Sequence, residues 1–313
     1  MIKKSLALIL MAVLSSFHVH AQGCSDAGFC TMGAMKPDQP FNKRIVLRLR
    51  SIEFGLYRGK TSLTPIVYVG TMDFNFSLNT RNTFQIKVPY QNVSGLLGDT
   101  HGFGDLSLSY TRNLFSSEKY DINFSVGGKI PTNDSNLKWY GKPMPMYYQT
   151  SLGTFDLVAG ASLLSRDWLI ATGIQHPFDR NKNQFTWGAW TDYPYKSYLH
   201  KYPASKNLKR GTDIMLRVER NFRFSRLNLA IGILPIYRLN RDVRTNATTG
   251  VDEKIDGSQG LVMTTLLSAG YSLNVRSGFK MLYGIKTIGR ELATNPDGLS
   301  RENVVTLSYY YRF

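Results

Sequence analysis

Cysteine is nearly absent from this chain: 2 in 313 residues, Cys24 and Cys30, both close to the N-terminus. A disulfide-stapled scaffold is thereby excluded. Histidine is scarce as well, 5 in all, and those beyond residue 21 (His101, His176 and His200) are far apart in sequence, which leaves no ligand spacing for a built-in metal site. After residue 21 no run of apolar residues reaches the 18 or so needed for a spanning helix. Acid is short too, with Asp+Glu 22 against Lys+Arg 38, a formal net charge of +16. Alone, that excess suggests a nucleic acid or an anionic membrane as partner.

The first residues argue against nucleic acid. Lys3 and Lys4 form a basic start, Leu6 to Leu14 an apolar stretch, and Val19-His20-Ala21 a small-residue cleavage site, so 1–21 reads as a secretory signal peptide. Export brings Cys24 and Cys30, in GCSDAGFC, into an oxidising compartment, where a local disulfide is expected within a short periplasmic segment, 22–43. A two-cysteine metal site is the weaker alternative, because no histidine lies near.

From residue 44 onward the chain alternates. Val305, Leu307, Tyr309, Tyr311 and Phe313 are apolar at every second position, with Thr306, Ser308, Tyr310 and Arg312 between them, a strand with one greasy and one polar face. Phe84/Ile86/Val88/Tyr90, Tyr120/Ile122/Phe124/Val126, Ile214/Leu216/Val218 and Phe279/Met281/Tyr283/Ile285 repeat the pattern. A first strand from Arg44 to Tyr57 switches face near Ser51, the mark of a bulge. In all, about twelve strands are expected.

Their connections alternate in length. Short turns fall at Thr80-Arg81-Asn82, Ser116-Ser117-Glu118, Ser165-Arg166-Asp167, Phe224-Ser225-Arg226 and Val275-Arg276-Ser277. Between them lie a link near Gly59 and long loops at 92–103, 131–147, 177–209, 240–258 and 290–301. Both termini and every short turn on one side, with the long loops on the other, is the plan of a transmembrane barrel. A soluble β-sandwich also alternates, but strands of ten or more residues, aromatics near strand ends and a terminal Phe313 favour the barrel. The expected fold is thus an all-β, transmembrane antiparallel barrel over 44–313, in the outer membrane of a Gram-negative cell.

GFGDLSLSYTRNLF (Gly102 to Phe115), GGKIPT (Gly127 to Thr132) and QTSLGTFDLVAGAS (Gln149 to Ser162) resemble a family of bacterial outer-membrane proteins named for the meta-pathway of phenol degradation. The resemblance implies an outer-membrane, transporter-like barrel that passes small aromatic or hydrophobic compounds. The N-terminal GCSDAGFC and the Trp/Tyr-rich loop 177–209 fall outside its pattern.

With the polar faces turned inward, the lumen-lining candidates are Arg48, Arg50, Lys87, Asp105, Asp121, Lys129, Asp156, Arg217, Glu219, Lys280, Lys286 and Arg312. Such a lining is either a cross-linked plug or a narrow, positively biased path. Trp187, Trp190, Tyr193 and Tyr195 in the loop 177–209 are candidates for binding a partner or carbohydrate, for a constriction, or for simple self-packing. Phe313 is the expected signal for the barrel-insertion machinery. His176 with Asp179 is a weak catalytic hint without a serine partner, so no enzyme and no cofactor are expected. The functional expectation is passive passage of small solutes, anionic or aromatic, and the alternative a non-conducting accessory subunit of an outer-membrane complex. Outer-membrane lipid is a partner in either case.

Overall fold

The computed structural model describes residues 48–290, 294–299 and 301–313. The signal peptide, the 22–43 segment and the expected Cys24–Cys30 pairing lie outside the described residues.

Among the described residues seventeen strands form in chain order, most of them long enough to cross a bilayer: β1 (Arg48–Lys60), β2 (Ile66–Ser77), β3 (Asn82–Gly95), β4 (Gly98–Phe103), β5 (Leu106–Ser116), β6 (Tyr120–Ile130), β7 (Lys138–Trp139), β8 (Lys142–Pro143), β9 (Asp156–Ser165), β10 (Trp168–Pro177), β11 (Asp213–Arg223), β12 (Leu227–Arg238), β13 (Val243–Thr245), β14 (Asp252–Lys254), β15 (Gly260–Ser272), β16 (Ser277–Ile288) and β17 (Asn303–Arg312). β4 and β5 continue one strand across Gly104–Asp105, while β7–β8 and β13–β14 are small hairpins inside loops. The remainder close a 12-stranded antiparallel barrel. β17 supplies the closure by pairing with β16 on one side and β1 on the other, from Ser51↔Arg312 to Lys60↔Asn303.

Exposure follows the period of 2. Along β10, Trp168, Ile170, Ile174 and His176 are exposed, and Leu169, Ala171, Gly173 and Gln175 are buried. The same holds at Phe54 and Leu56 of β1 and at Ile231 and Ile233 of β12, all exposed. Large apolar side chains point outward, as a lipid-facing wall requires, while the inward set mixes polar and charged side chains with a small apolar cluster of Val158, Leu169, Ala171, Met215, Leu234 and Leu266. The bulge expected near Ser51 is present: the β1–β2 register shifts between Leu49 and Ser51.

One expected loop is strand. Instead of a connection at 92–103, β3 continues to Gly95, turns at Leu96–Leu97 and returns as β4, with Asn92↔His101 and Ser94↔Asp99 in register. The strand count is unchanged, because this hairpin lengthens a pair already present.

Candidate functional site: the barrel lumen

The inward faces carry the charge, and most of it is paired. Lys87 Nζ lies 3.4 Å from Asp73, Lys129 Nζ 3.9 Å from Asp105, and Lys280 Nζ 3.2 Å from Glu53. Arg217 and Glu219 pair at 2.6 Å along one strand. Asp156 holds Arg210 and accepts from Thr154 Oγ1 at 2.7 Å. Burying an ammonium or carboxylate is tolerable only with such partners.

The other lining candidates sit elsewhere along the bore. Arg48 is exposed at the rim and Arg50 stands at the β1 bulge, its carbonyl accepting from Phe313 N at 2.9 Å. Asp121 is near the short-turn end, where it accepts from Ser116 Oγ. The Tyr310 ring is flanked by Lys280 Nζ at 4.9 Å and the Arg312 guanidinium at 4.8 Å, both within cation–π range. Lys286 is fully buried, 2% exposed, at the long-loop end of β16.

The long loops fold into that end. Loops 131–155 and 178–212 bury Met144, Tyr147, Tyr148, Phe185, Trp190 and Tyr202 against wall residues Val67, Val69 and Val93. Asp105 anchors the first of them, accepting from Ser151 Oγ at 2.5 Å and Leu152 N at 3.1 Å. Polar tips inside this plug find partners: Trp190 Nε1 donates to Pro143 O at 2.7 Å, Leu97 N to Tyr148 Oη at 3.1 Å, and the Tyr198 and Tyr202 hydroxyls meet at 2.6 Å. Burial raises Tyr148 to about 12, and raises Tyr202 further, so both phenols stay neutral.

The loop-binding candidates therefore separate. Trp190 is 3% exposed and packs inside the plug, where no external partner reaches it. Tyr193 is half-buried against it, with Oη donating to Leu96 O at 3.2 Å. Trp187 and Tyr195, 40% and 67% exposed, face outward. The catalytic hint does not assemble: His176 Nδ1 bonds Thr212 Oγ1 at 2.8 Å, and Asp179 accepts from Phe155 N at 2.9 Å.

Between plug and wall lies a crevice of about 40 Å³, lined by Lys87, Gln91 and Asp105 on the wall and by Gln149, Asp297 and Arg301 on the loops. That is room for a few waters. In the short-turn half of the bore the described residues enclose a pocket of about 350 Å³ lined by Glu53, Arg217, Glu219, Lys280 and Arg312 together with Leu169, Ala230 and Leu282.

Sequence reading missed a second anchor. The Arg238 guanidinium binds Asp213 through Nε at 2.8 Å and Nη2 at 2.7 Å, Asp242 through Nη1 at 2.9 Å, and Asp297 through Nη1 at 2.8 Å. Arg238 falls on the inward parity of β12, in step with Ala230 and Leu234, and that parity was the available signal. Asp242 and Asp297 belong to loops without periodicity and gave none.

No family model matches the chain, and no curated protein is similar to it. Solved structures are similar in shape. An outer-membrane channel from Pseudomonas putida F1, 13% identical, superposes over 89% of this chain and 99% of that one with a TM-score of 0.59. The Ralstonia pickettii toluene transporter TbuX, 11% identical, covers 95% of this chain and 100% of its own with a TM-score of 0.44. The NanC porin, 7% identical, covers 86% and 100% with a TM-score of 0.47. Phospholipase barrels also occur among the similar structures. Closed wall, apolar outer belt and charged bore define the class: an outer-membrane β-barrel of a Gram-negative cell.

Proposed function

We propose that the barrel passes small solutes through its bore, with a preference for those that combine an anionic group with an apolar body, and that the structure is the closed state. The observation that carries this reading is the pocket of about 350 Å³ on the short-turn side, a volume suited to one small molecule. Its cations, Arg217, Lys280 and Arg312, outnumber its acids, Glu53 and Glu219, and Leu169, Ala230 and Leu282 supply apolar wall. The channel-like shape of the fold is consistent with passage.

Bilayer recording of the purified protein under a salt gradient is the test. A reversal potential on the anion side is expected, moved toward cations by Lys280→Glu and by Lys286→Glu. Lys280 should have the larger effect, since it lines the open pocket whereas Lys286 lies behind the plug.

The filled outer mouth favours a second reading, a non-conducting accessory subunit of an outer-membrane complex. Trp187 and Tyr195 would then supply the outward contact. Absence of conductance under all conditions, with a stoichiometric partner co-purifying from native membranes, would decide for that reading. In both, Phe313 at the end of β17 serves as the signal for the insertion machinery.

A further inference from the structure

Segment 239–259 is attached differently from the rest of the plug. Loop 178–212 is held by many buried apolar side chains, Phe185, Trp190, Leu199, Tyr202 and Leu208 among them. Segment 239–259 buries one, Ile255, which packs on Met146, Leu152 and Leu208. Its remaining inner attachments are polar. Asp242 Oδ1 accepts from Gly211 N at 2.7 Å, and Lys209 and Val243 exchange two backbone hydrogen bonds at 2.8 and 2.9 Å. Within the segment, Asp242 N donates to Ser258 Oγ at 2.8 Å and Ile255 N to Asp242 O at 2.8 Å, so Asp242 sits where the two ends of the loop meet.

Asp242 is also where this segment meets the charged cluster. Arg238 is 2% exposed, Asp242 0% and Asp297 1%, with Asp213 at 8%. Asp213 on β11 takes the Nε/Nη2 fork for itself, which leaves Asp242 and Asp297 to share Nη1. Gly298, next to Asp297, has φ +68 and lies so close to the Met146–Tyr147 backbone that a side chain there would collide with it. Tyr147 Oη donates to Asn295 O at 3.3 Å. One guanidinium on the wall thus ties the loop of Asp242 to the plug through Asp297.

We propose that segment 239–259 is the outer gate of the channel, latched to the wall by the Arg238 cluster, and that closing the latch takes up a proton, so that mild acid holds the pore shut. This rests on the channel reading above and adds its regulation. Three carboxylates converge on one guanidinium, and two of them divide a single nitrogen. Burial raises the Asp242 carboxyl to about 6, with Arg238 opposing and Asp297 adding to the rise. The other charged groups around the pair are Arg290, whose Nη1 donates to Ser258 O, Arg210 on the Asp156 side, and Arg301, whose Nη1 donates to Gly298 O at 2.7 Å. Asp297 is held down to about 2: burial would raise it, but Arg238 and Arg290 outweigh that.

The direction of the pH effect follows from linkage. In an open gate a hydrated Asp242 would titrate near 3.9. The state in which its pKa is higher binds the proton more tightly, so acidification from pH 7.5 to pH 5 favours closure, by roughly tenfold for one such group. Asp297, shifted the other way, would loosen the latch only below about pH 4.

The experiment uses the full-length protein in planar bilayers at pH 7.5 and pH 5, with hydrogen exchange over 239–259 in the same preparation. Expected for the wild type is a roughly tenfold lower open-to-closed ratio at pH 5, and slower exchange there after correction for intrinsic rates. Asp242→Asn keeps an acceptor and has no charge to titrate. It should hold the pore near its pH 5 behaviour at both pH values. Arg238→Gln should leave the segment unlatched at both, provided that heat-modifiable gel mobility shows an intact barrel. An unchanged pH response in Asp242→Asn, or opening on acidification, overturns the latch. If no variant conducts, the channel reading fails separately, and exchange over 239–259 that ignores both pH and Asp242→Asn overturns the latch on its own terms.

Discussion

Asp105 is a wall residue with two kinds of partner, the buried ammonium of Lys129 and the Ser151–Leu152 corner of an inserted loop. Removing the carboxylate leaves Lys129 buried without that charge partner and frees the corner. Asp105→Ala should therefore cost about 3–5 kcal/mol of stability. Urea titration in lipid is the check, with protease cleavage in 131–155 as the local signature; a variant within 1 kcal/mol of wild type, about the value of one ordinary hydrogen bond, would rule out the anchor. At this scale the sequence signal is parity: Lys87, Lys129, Lys280 and Lys286 stand on the faces opposite the apolar residues of their strands, and Lys87, Lys129 and Lys286 are buried while Lys280 is half-buried. Their partners were not legible. Glu53 reaches Lys280 from β1 across β17, a pairing fixed by barrel closure and by nothing local in either strand.

Among the elements, β17 joins the two ends of the wall, so its faces are under the strictest demand. Leu307 sits at mid-strand, 49% exposed, between Leu56 and Met281 of the flanking strands. An arginine there faces hydrocarbon and should cost about 2–4 kcal/mol. At Thr306, one residue earlier and lining the open pocket, the same substitution should cost a fraction of that. Equal losses of folded barrel in a heat-modifiability titration would show that the faces are assigned wrongly. The β3–β4 hairpin shows why one element was missed. Its outer half pairs as regularly as the rest, but Asn92, Ser94, Asp99 and His101 are polar and exposed where the other strands carry apolar residues. Period-2 hydrophobicity is written by lipid on one face; where the polar residues place that face in water, the ladder continues and the signature ends.

For the whole molecule, the alternation of short turns and long loops sets an orientation. In a background lacking Cys24 and Cys30, single cysteines at Thr191 and Thr248, both exposed on long loops, should react with an impermeant reagent on intact cells. One at Ser117, equally exposed but on a short turn, should not. Similar labelling at all three would reverse or abolish the assigned topology. The labelling that fixes this orientation also tests the proposed closed state, in which the loop-filled end faces outward and the pocket of about 350 Å³ faces the periplasm.

The wall was determined by the sequence alone, because each strand meets lipid on one side and the barrel interior on the other, and the lipid's demand for apolar side chains is imposed at every second residue. Alternation, face, bulge and connection order follow from it. What fills the bore was decided only in the folded molecule. Trp190 and Tyr195 belong to one aromatic run, yet one is buried in the plug and the other faces solvent. The contacts that separate them join loops distant in the chain, as Trp190 Nε1 does with Pro143 O. Likewise Arg238 draws Asp213, Asp242 and Asp297 together from the wall and two loops. No period or spacing encodes such a meeting; it exists once closure of the barrel has brought the loops over a common mouth.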